Sequence, residues 1–261
     1  MLDALAPARR RLVLLVLLAA LLAALVTVSL VVVHATERVT PVAQDEPGPV
    51  LLVSGYGGSV GSLEPLRSAL VDAGRDVVVV PPLGAGTGDL DAQARSLARR
   101  ADAAMDRFAA TSVDVVGYSA GGVVARAWVR HHGGGSVARR VLSIGSPQHG
   151  TTLADVAVGL VGRCPPACRQ LQPSSDLLRD LNARDETPRG PAFVSVWSSA
   201  DEVVVPAASA RLAGALDLTV QSVCPHDRAQ HGDLPGDPVV QGLLVSALGR
   251  RAPARPVDVA C

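Results

Sequence analysis

Val113-Asp114-Val115-Val116-Gly117-Tyr118-Ser119-Ala120-Gly121-Gly122-Val123-Val124-Ala125-Arg126-Ala127-Trp128-Val129 is the stretch that decides the fold. Its opening residues form a short, mostly aliphatic run bounded by glycine, the pattern of a strand inside a sheet. From Ala120 or Gly121 to Val129 the small and aliphatic residues fit a helix, ended further on by Gly133-Gly134-Gly135. Between the two stands G-x-S-x-G, as Gly117-Tyr118-Ser119-Ala120-Gly121. A serine on so sharp a strand-to-helix turn has a strained backbone, and the chain must pass close to itself. Gly117 and Gly121 supply the room. Ser119 Oγ then stands clear of the sheet, beside a helix N-terminus that favours developing negative charge. The spacing predicts a nucleophile at Ser119, with the N–H of Ala120 as one donor to an oxyanion.

Outward from this elbow the chain alternates aliphatic runs with amphipathic ones. Strands are predicted at 50–53, 76–80, 113–116, 141–144, 193–197 and 218–223, and helices at 63–73, 92–110, 121–129 and 238–248. Strands separated by helical segments imply right-handed crossovers and a mostly parallel sheet with helices on both faces. The domain is expected over 50–250. The stretch 151–190, which carries Cys164-Pro165-Pro166-Ala167-Cys168, breaks the rhythm and reads as an insertion; 251–261 is a Pro-containing tail. No internal repeat is visible.

Before the domain lies a different kind of sequence. Residues 12–33 are apolar except for Thr27 and Ser29. As a helix they would span about 33 Å, enough for a hydrocarbon core of about 30 Å. The basic segment 1–11, with Arg9, Arg10 and Arg11, is expected on the cytoplasmic side and the remainder outside. A signal peptide cleaved after Val33-His34-Ala35 is the alternative; signal cores run about 7–15 residues, so the length favours a retained anchor. Residues 34–49 are polar and Pro-rich and read as a linker. Four cysteines, Cys164, Cys168, Cys224 and Cys261, are an even number in an exported chain and predict two disulfides; the sequence leaves three connectivities, of which Cys164–Cys168 with Cys224–Cys261 is the pairing expected. The Cys164–Cys168 spacing lacks further ligands nearby, so no metal is expected there.

Composition excludes several classes of function. The 24 basic and 24 acidic residues balance, every basic residue is Arg, and aromatic residues make up 2%. Neither a basic nucleic-acid footprint nor a stacking surface is present. Gly84-Ala85-Gly86-Thr87-Gly88 has neither dinucleotide-binding spacing nor a P-loop lysine, so no nucleotide is expected.

A nucleophilic serine needs three further parts. The loop Ser54-Gly55-Tyr56-Gly57-Gly58 follows the first strand directly, and its glycines let the backbone approach a substrate, with Tyr56 N–H as the second oxyanion donor. The acid should follow a later strand, and Asp201 does so in Ser198-Ser199-Ala200-Asp201, with Glu202 beside it pointing elsewhere. The base should come last. His131 and His132 end the helix after the elbow, where capping or solvent exposure is the ordinary reason for a histidine. His149 precedes the acid and is expected to line the cleft. His226 lies next to Cys224 on a constrained turn. His231, further along and followed by Gly232, has the reach.

With these pieces in place the chain resembles the exported bacterial lipase and esterase family with a small α/β-hydrolase domain. The resemblance rests on Leu52-Val53-Ser54-Gly55-Tyr56-Gly57-Gly58, Gly117-Tyr118-Ser119-Ala120-Gly121, Gly145-Ser146-Pro147-Gln148-His149-Gly150-Thr151, Ser198-Ser199-Ala200-Asp201 and His231-Gly232-Asp233-Leu234-Pro235. It implies an α/β-hydrolase fold, a Ser119–Asp201–His231 triad, and cofactor-free hydrolysis of an ester or lipid through an acyl-enzyme. Relatives often carry His-Gly at Ser54-Gly55 and Pro-His-His-Gly at Pro147-Gln148-His149-Gly150, departures that bear on substrate preference. An acyltransferase using the same triad and a non-enzymatic binding protein on this fold are the alternatives.

Overall fold

A computed structural model describes residues 7–36, 39–161, 164–255, 259 and 261. The chain divides into two units, 1–39 and 40–261. The first holds one helix, α1 (Pro7–Thr36). Its span Arg11–Ser29 is long and apolar enough to cross a membrane, and it lies near the N-terminus, as a signal sequence also would.

The second unit is built on six parallel strands, β1 (Val50–Val53), β2 (Val77–Val80), β3 (Val113–Tyr118), β4 (Ala138–Ile144), β5 (Ala192–Trp197) and β6 (Leu216–Thr219), in the order β2-β1-β3-β4-β5-β6. The connections run through α2 (Glu64–Asp72), α3 (Leu90–Phe108), α4 (Ala120–His131), then α5 (Thr152–Val161), α6 (Pro166–Gln170) and α7 (Asp176–Leu181) between β4 and β5, a single helical turn α8 (Val220–Val223), and α9 (Pro238–Ala247). Strand alternation sorts the core into two layers. Leu51, Val53, Val113 and Val115 face α3 and α4, meeting Leu90, Leu97, Ala101, Val123 and Trp128. Val50, Leu52, Val116, Leu142 and Val196 face the other way, toward Leu66 and Leu70 of α2 and Val240, Leu243 and Leu244 of α9. Because strands on either side of β1 are filled in opposite directions, the chain reverses its winding between β1 and β3. A crevice beyond the C-terminal ends of those two strands is where such a sheet presents a site.

Several boundaries shift by a residue or two, and two of the differences have a long-range reason. The run 218–223 was expected as strand throughout. The strand stops at Thr219, paired with Trp197 at the end of β5, and Thr219 caps a helical turn by accepting from Ser222 N–H. At β4 the strand starts three residues before Val141, taking in Ala138, Arg139 and Arg140. Both arginines are fully buried. Asp114 on the neighbouring strand accepts from Arg139 Nε at 2.9 Å and from Arg75 at 2.7 Å. Other guanidinium nitrogens of the three arginines take backbone carbonyls of Gln44 and of Ala247, Leu248, Gly249 and Arg251 at and beyond the end of α9.

Candidate active site

β3 ends at Tyr118 and α4 begins at Ala120, so Ser119 is the whole turn between them. Its φ of 53° and ψ of −126° lie where a non-glycine residue is strained. The turn closes only because its neighbours lack side chains. A Cβ on Gly117 would stand 2.3 Å from Gly121 C and Gly122 N, and one on Gly121 would stand 2.3 Å from Val53 O.

Ser119, His231 and Asp201 come together in one hydrogen-bonded chain. Ser119 Oγ lies 3.0 Å from His231 Nε2, and His231 Nδ1 lies 2.7 Å from Asp201 Oδ2. Asp201, on the loop after β5, is itself fixed: its Oδ1 accepts from the N–H groups of Val203 and Val204 at 2.9 and 2.8 Å. His231 and Asp201 are both buried. Gly145, at φ 54°, leaves space beside them, since a Cβ there would stand 2.5 Å from Leu234 and 3.4 Å from His231 Nδ1.

Several groups holding this chain in place are not visible in the sequence. Tyr118 Oη donates to the carbonyl of His231 at 2.9 Å, and the two rings lie 5.2 Å apart. Burial, reinforced by the charges of Asp201, Glu202 and Asp233, pushes the Tyr118 phenol up to about 12, so it stays a donor. Glu202 accepts from the His231 N–H at 3.1 Å; the residue expected to point away supports the histidine's backbone. Gln221, in α8, receives the N–H of Ser199 and donates to Ser198 Oγ and the carbonyl of Asp227. It joins the acid loop to the histidine loop. The one local signal was the tyrosine inside the elbow motif; apart from Gln221 to Asp227, the contacts span 20 residues or more.

The loop after β1 reaches the elbow, where a Cβ on Gly55 would stand 2.8 Å from Ser119 Cβ. Among the described residues neither Tyr56 N–H nor Ala120 N–H has a protein acceptor. His149 turns its ring to Glu186 Oε1 at 2.9 Å and makes no bond to the three central residues. Gln148 is buried and accepts from Arg126 of α4, which also donates to Leu181 O and Asn182 Oδ1. Burial lowers the Arg126 guanidinium to about 10, so it remains charged at neutral pH. His226 is exposed. Cys164 is bonded to Cys168, and Cys224 to Cys261.

Residues 97–241, more than half of the chain and the part holding Ser119, Asp201 and His231, match the sequence profile of the family described as Lipase (class 2). Comparison with curated proteins finds no match. Among solved structures, Aspergillus fumigatus lipase B is similar at 22% identity and a TM-score of 0.67, over 82% of this chain and 56% of that one. The mature form of Bacillus licheniformis lipase BlEst2 is similar at 19% identity and a TM-score of 0.65, over 80% of this chain and 94% of that one. An extracellular α/β-hydrolase from a Paenibacillus species follows at 14% identity and a TM-score of 0.51, over 78% and 100%. This chain thus spans little more than half the length of the fungal lipase. At these identities the structural likeness shows the fold, which is that of the α/β-hydrolases.

Proposed function

The chain belongs to the class 2 lipases, a family of carboxylic ester hydrolases, and from that premise we propose that Ser119, His231 and Asp201 hydrolyse esters of apolar acyl groups outside the cytoplasmic membrane. The observation that carries the reading is the unbroken Ser119–His231–Asp201 chain at 3.0 and 2.7 Å on a strained elbow. Ser119 Oγ attacks the ester carbonyl while its proton passes to His231 Nε2. Asp201 holds the imidazole in the tautomer that can accept there, and stabilises the imidazolium that forms. The N–H groups of Tyr56 and Ala120 receive the oxyanion, a role supported by their lack of other acceptors. The alcohol leaves with the proton from His231, and water, activated by the same base, releases the acid.

The apolar acyl class is supported by side chains on the same edge of the sheet. Tyr56, Leu83, Leu153, Val156 and Val203 are all exposed, and all follow C-terminal ends of parallel strands, the end at which Ser119 stands. Location outside the membrane is supported by α1 and by two disulfides, which persist in oxidising compartments.

The test is direct. A fluorophosphonate should label Ser119 in the full chain, and Ser119→Ala should lower hydrolysis of p-nitrophenyl butyrate by at least about a thousandfold while keeping native circular dichroism. Labelling of another residue, or undiminished turnover in the variant, would overturn the assignment.

A further inference from the structure

Where the start of α3 meets the end of α4, three side chains converge that the proposed reaction does not use. His131 Nδ1 lies 3.2 Å and His132 Nε2 2.8 Å from one and the same oxygen, Asp91 Oδ1. These three atoms all lie within 4.8 Å of one another. Each outer member is held from behind. Asp180 Oδ2 meets the far nitrogen of His131, Nε2, at 2.8 Å, and Arg95 donates to the other oxygen of Asp91 at 2.9 Å. The rings of His131 and His132 stand edge to face. Two successive residues at a helix end thus turn their imidazoles toward one point instead of diverging into solvent. Asp91 and His132 are partly buried and His131 is exposed.

His131 faces a carboxylate at each nitrogen, Asp91 at Nδ1 and Asp180 at Nε2, and His132 brings a second imidazole nitrogen to the Asp91 oxygen. We infer that Asp91, His131 and His132 bind a divalent transition-metal ion of the zinc class, through Asp91 Oδ1, His131 Nδ1 and His132 Nε2. The ion takes the place of a proton on the Asp91 side and leaves the Nε2 proton of His131 for Asp180. A carboxylate behind a ligating imidazole fixes the ring and raises its basicity, which is the relation Asp180 has to His131. Two imidazole nitrogens and one carboxylate oxygen suit Zn2+, with water in the remaining tetrahedral position. Ca2+ and Mg2+ favour oxygen donors throughout. Zinc with bonds of about 2.0–2.1 Å places its ligand atoms about 3.3 Å apart, so the two separations from Asp91 Oδ1 need widen by only about half an ångström or less, with the two ring nitrogens, within 4.8 Å of each other, settling to the same spacing. The ion would pin the first turn of α3 to the last turn of α4, the helix that follows Ser119. Its role is structural.

The experiment uses the full chain without a polyhistidine tag, in detergent, stripped with a chelator and then titrated with ZnCl2 by calorimetry. Binding should saturate at one ion per chain, and at a hundredfold excess over the dissociation constant the melting temperature should rise by roughly 5–10 °C. His131→Ala/His132→Ala should abolish both effects. Asp180→Asn, which removes no ligand, should weaken binding by about tenfold. If the double alanine variant lacks native circular dichroism, His132→Gln and Asp91→Asn replace it, with the same loss of saturable binding expected. No saturable binding by the wild-type chain, or undiminished binding by the folded ligand variants, would overturn the site.

Discussion

His231 is held at its backbone as firmly as at its ring. Tyr118 grips its carbonyl, Glu202 its N–H, and Asp201 the Nδ1 edge. This separates it from His226, which is exposed beside the Cys224 bridge. His231→Ala should therefore lower ester hydrolysis by roughly three orders of magnitude or more, whereas His226→Ala should change it by less than about tenfold. An inactive His226→Ala beside an active His231→Ala would reverse the assignment of the base. Tyr118 gives a second prediction, in pH. Its folded phenol is pushed up to about 12, above the unfolded value of about 10. Between those values the folded chain holds a proton that the unfolded chain has lost. The stabilisation is complete below about pH 10 and disappears as pH rises toward about 12. In Tyr56→Phe, Tyr118 is the only tyrosine left, and its phenolate absorbance should rise near pH 12. A midpoint near 10 would show that the ring is not buried against those carboxylates.

The elements show why some of this was legible in the sequence and some was not. The elbow is local: a strand, the start of a helix and two glycines within residues 113–121 state their own geometry, and the parallel layout follows from the alternation around them. Asp201 and His231 could be chosen by order along the chain because the loops after β5 and β6 must reach the crevice. Glu202 could not be placed, since its partner lies 29 residues away. Arg139 and Arg140 fell outside the expected strand 141–144, because the carboxylate that admits them to the core, Asp114, sits 25 residues earlier. Val220 and Val223 read as strand, but the cap that Thr219 offers and the end of the β5 pairing decide against it. Asp114→Ala would leave buried guanidinium groups without their carboxylate and should destabilise the domain by about 3–5 kcal/mol, measurable by urea unfolding. At α5 the exposed Leu153 and Val156, one turn apart, supply the prediction for substrate. Leu153→Ser/Val156→Ser should depress hydrolysis of p-nitrophenyl palmitate while sparing the acetate. An equal fall for both esters would show that α5 serves folding and not the acyl chain.

On the scale of the whole molecule, the chain joins an apolar N-terminal helix to a disulfide-bearing hydrolase unit. If the proposed export holds, protease added to intact spheroplasts should digest the hydrolase unit, and full protection would contradict it. The two bridges are unequal in what they close. Cys164–Cys168 spans four residues and ties α6 to the residues just before it, whereas Cys224–Cys261 spans 37 and encloses the His231 loop together with α9. Chain entropy therefore assigns about 4 kcal/mol to the long bridge and about 2 kcal/mol to the short one. For a domain of this size the long bridge should be worth roughly 8–15 °C in melting temperature. Its removal should leave the site intact at 25 °C, because Tyr118, Glu202 and Asp201 hold His231 without help from the tail. Cys224→Ser/Cys261→Ser is thus expected to melt well below the wild-type chain while retaining most of its ester hydrolysis at 25 °C. Unchanged melting would show that the bridge does not form, a point that non-reducing peptide mapping checks independently. Loss of activity in a variant that is still folded would show that the tail, and not the residues around His231, positions the base.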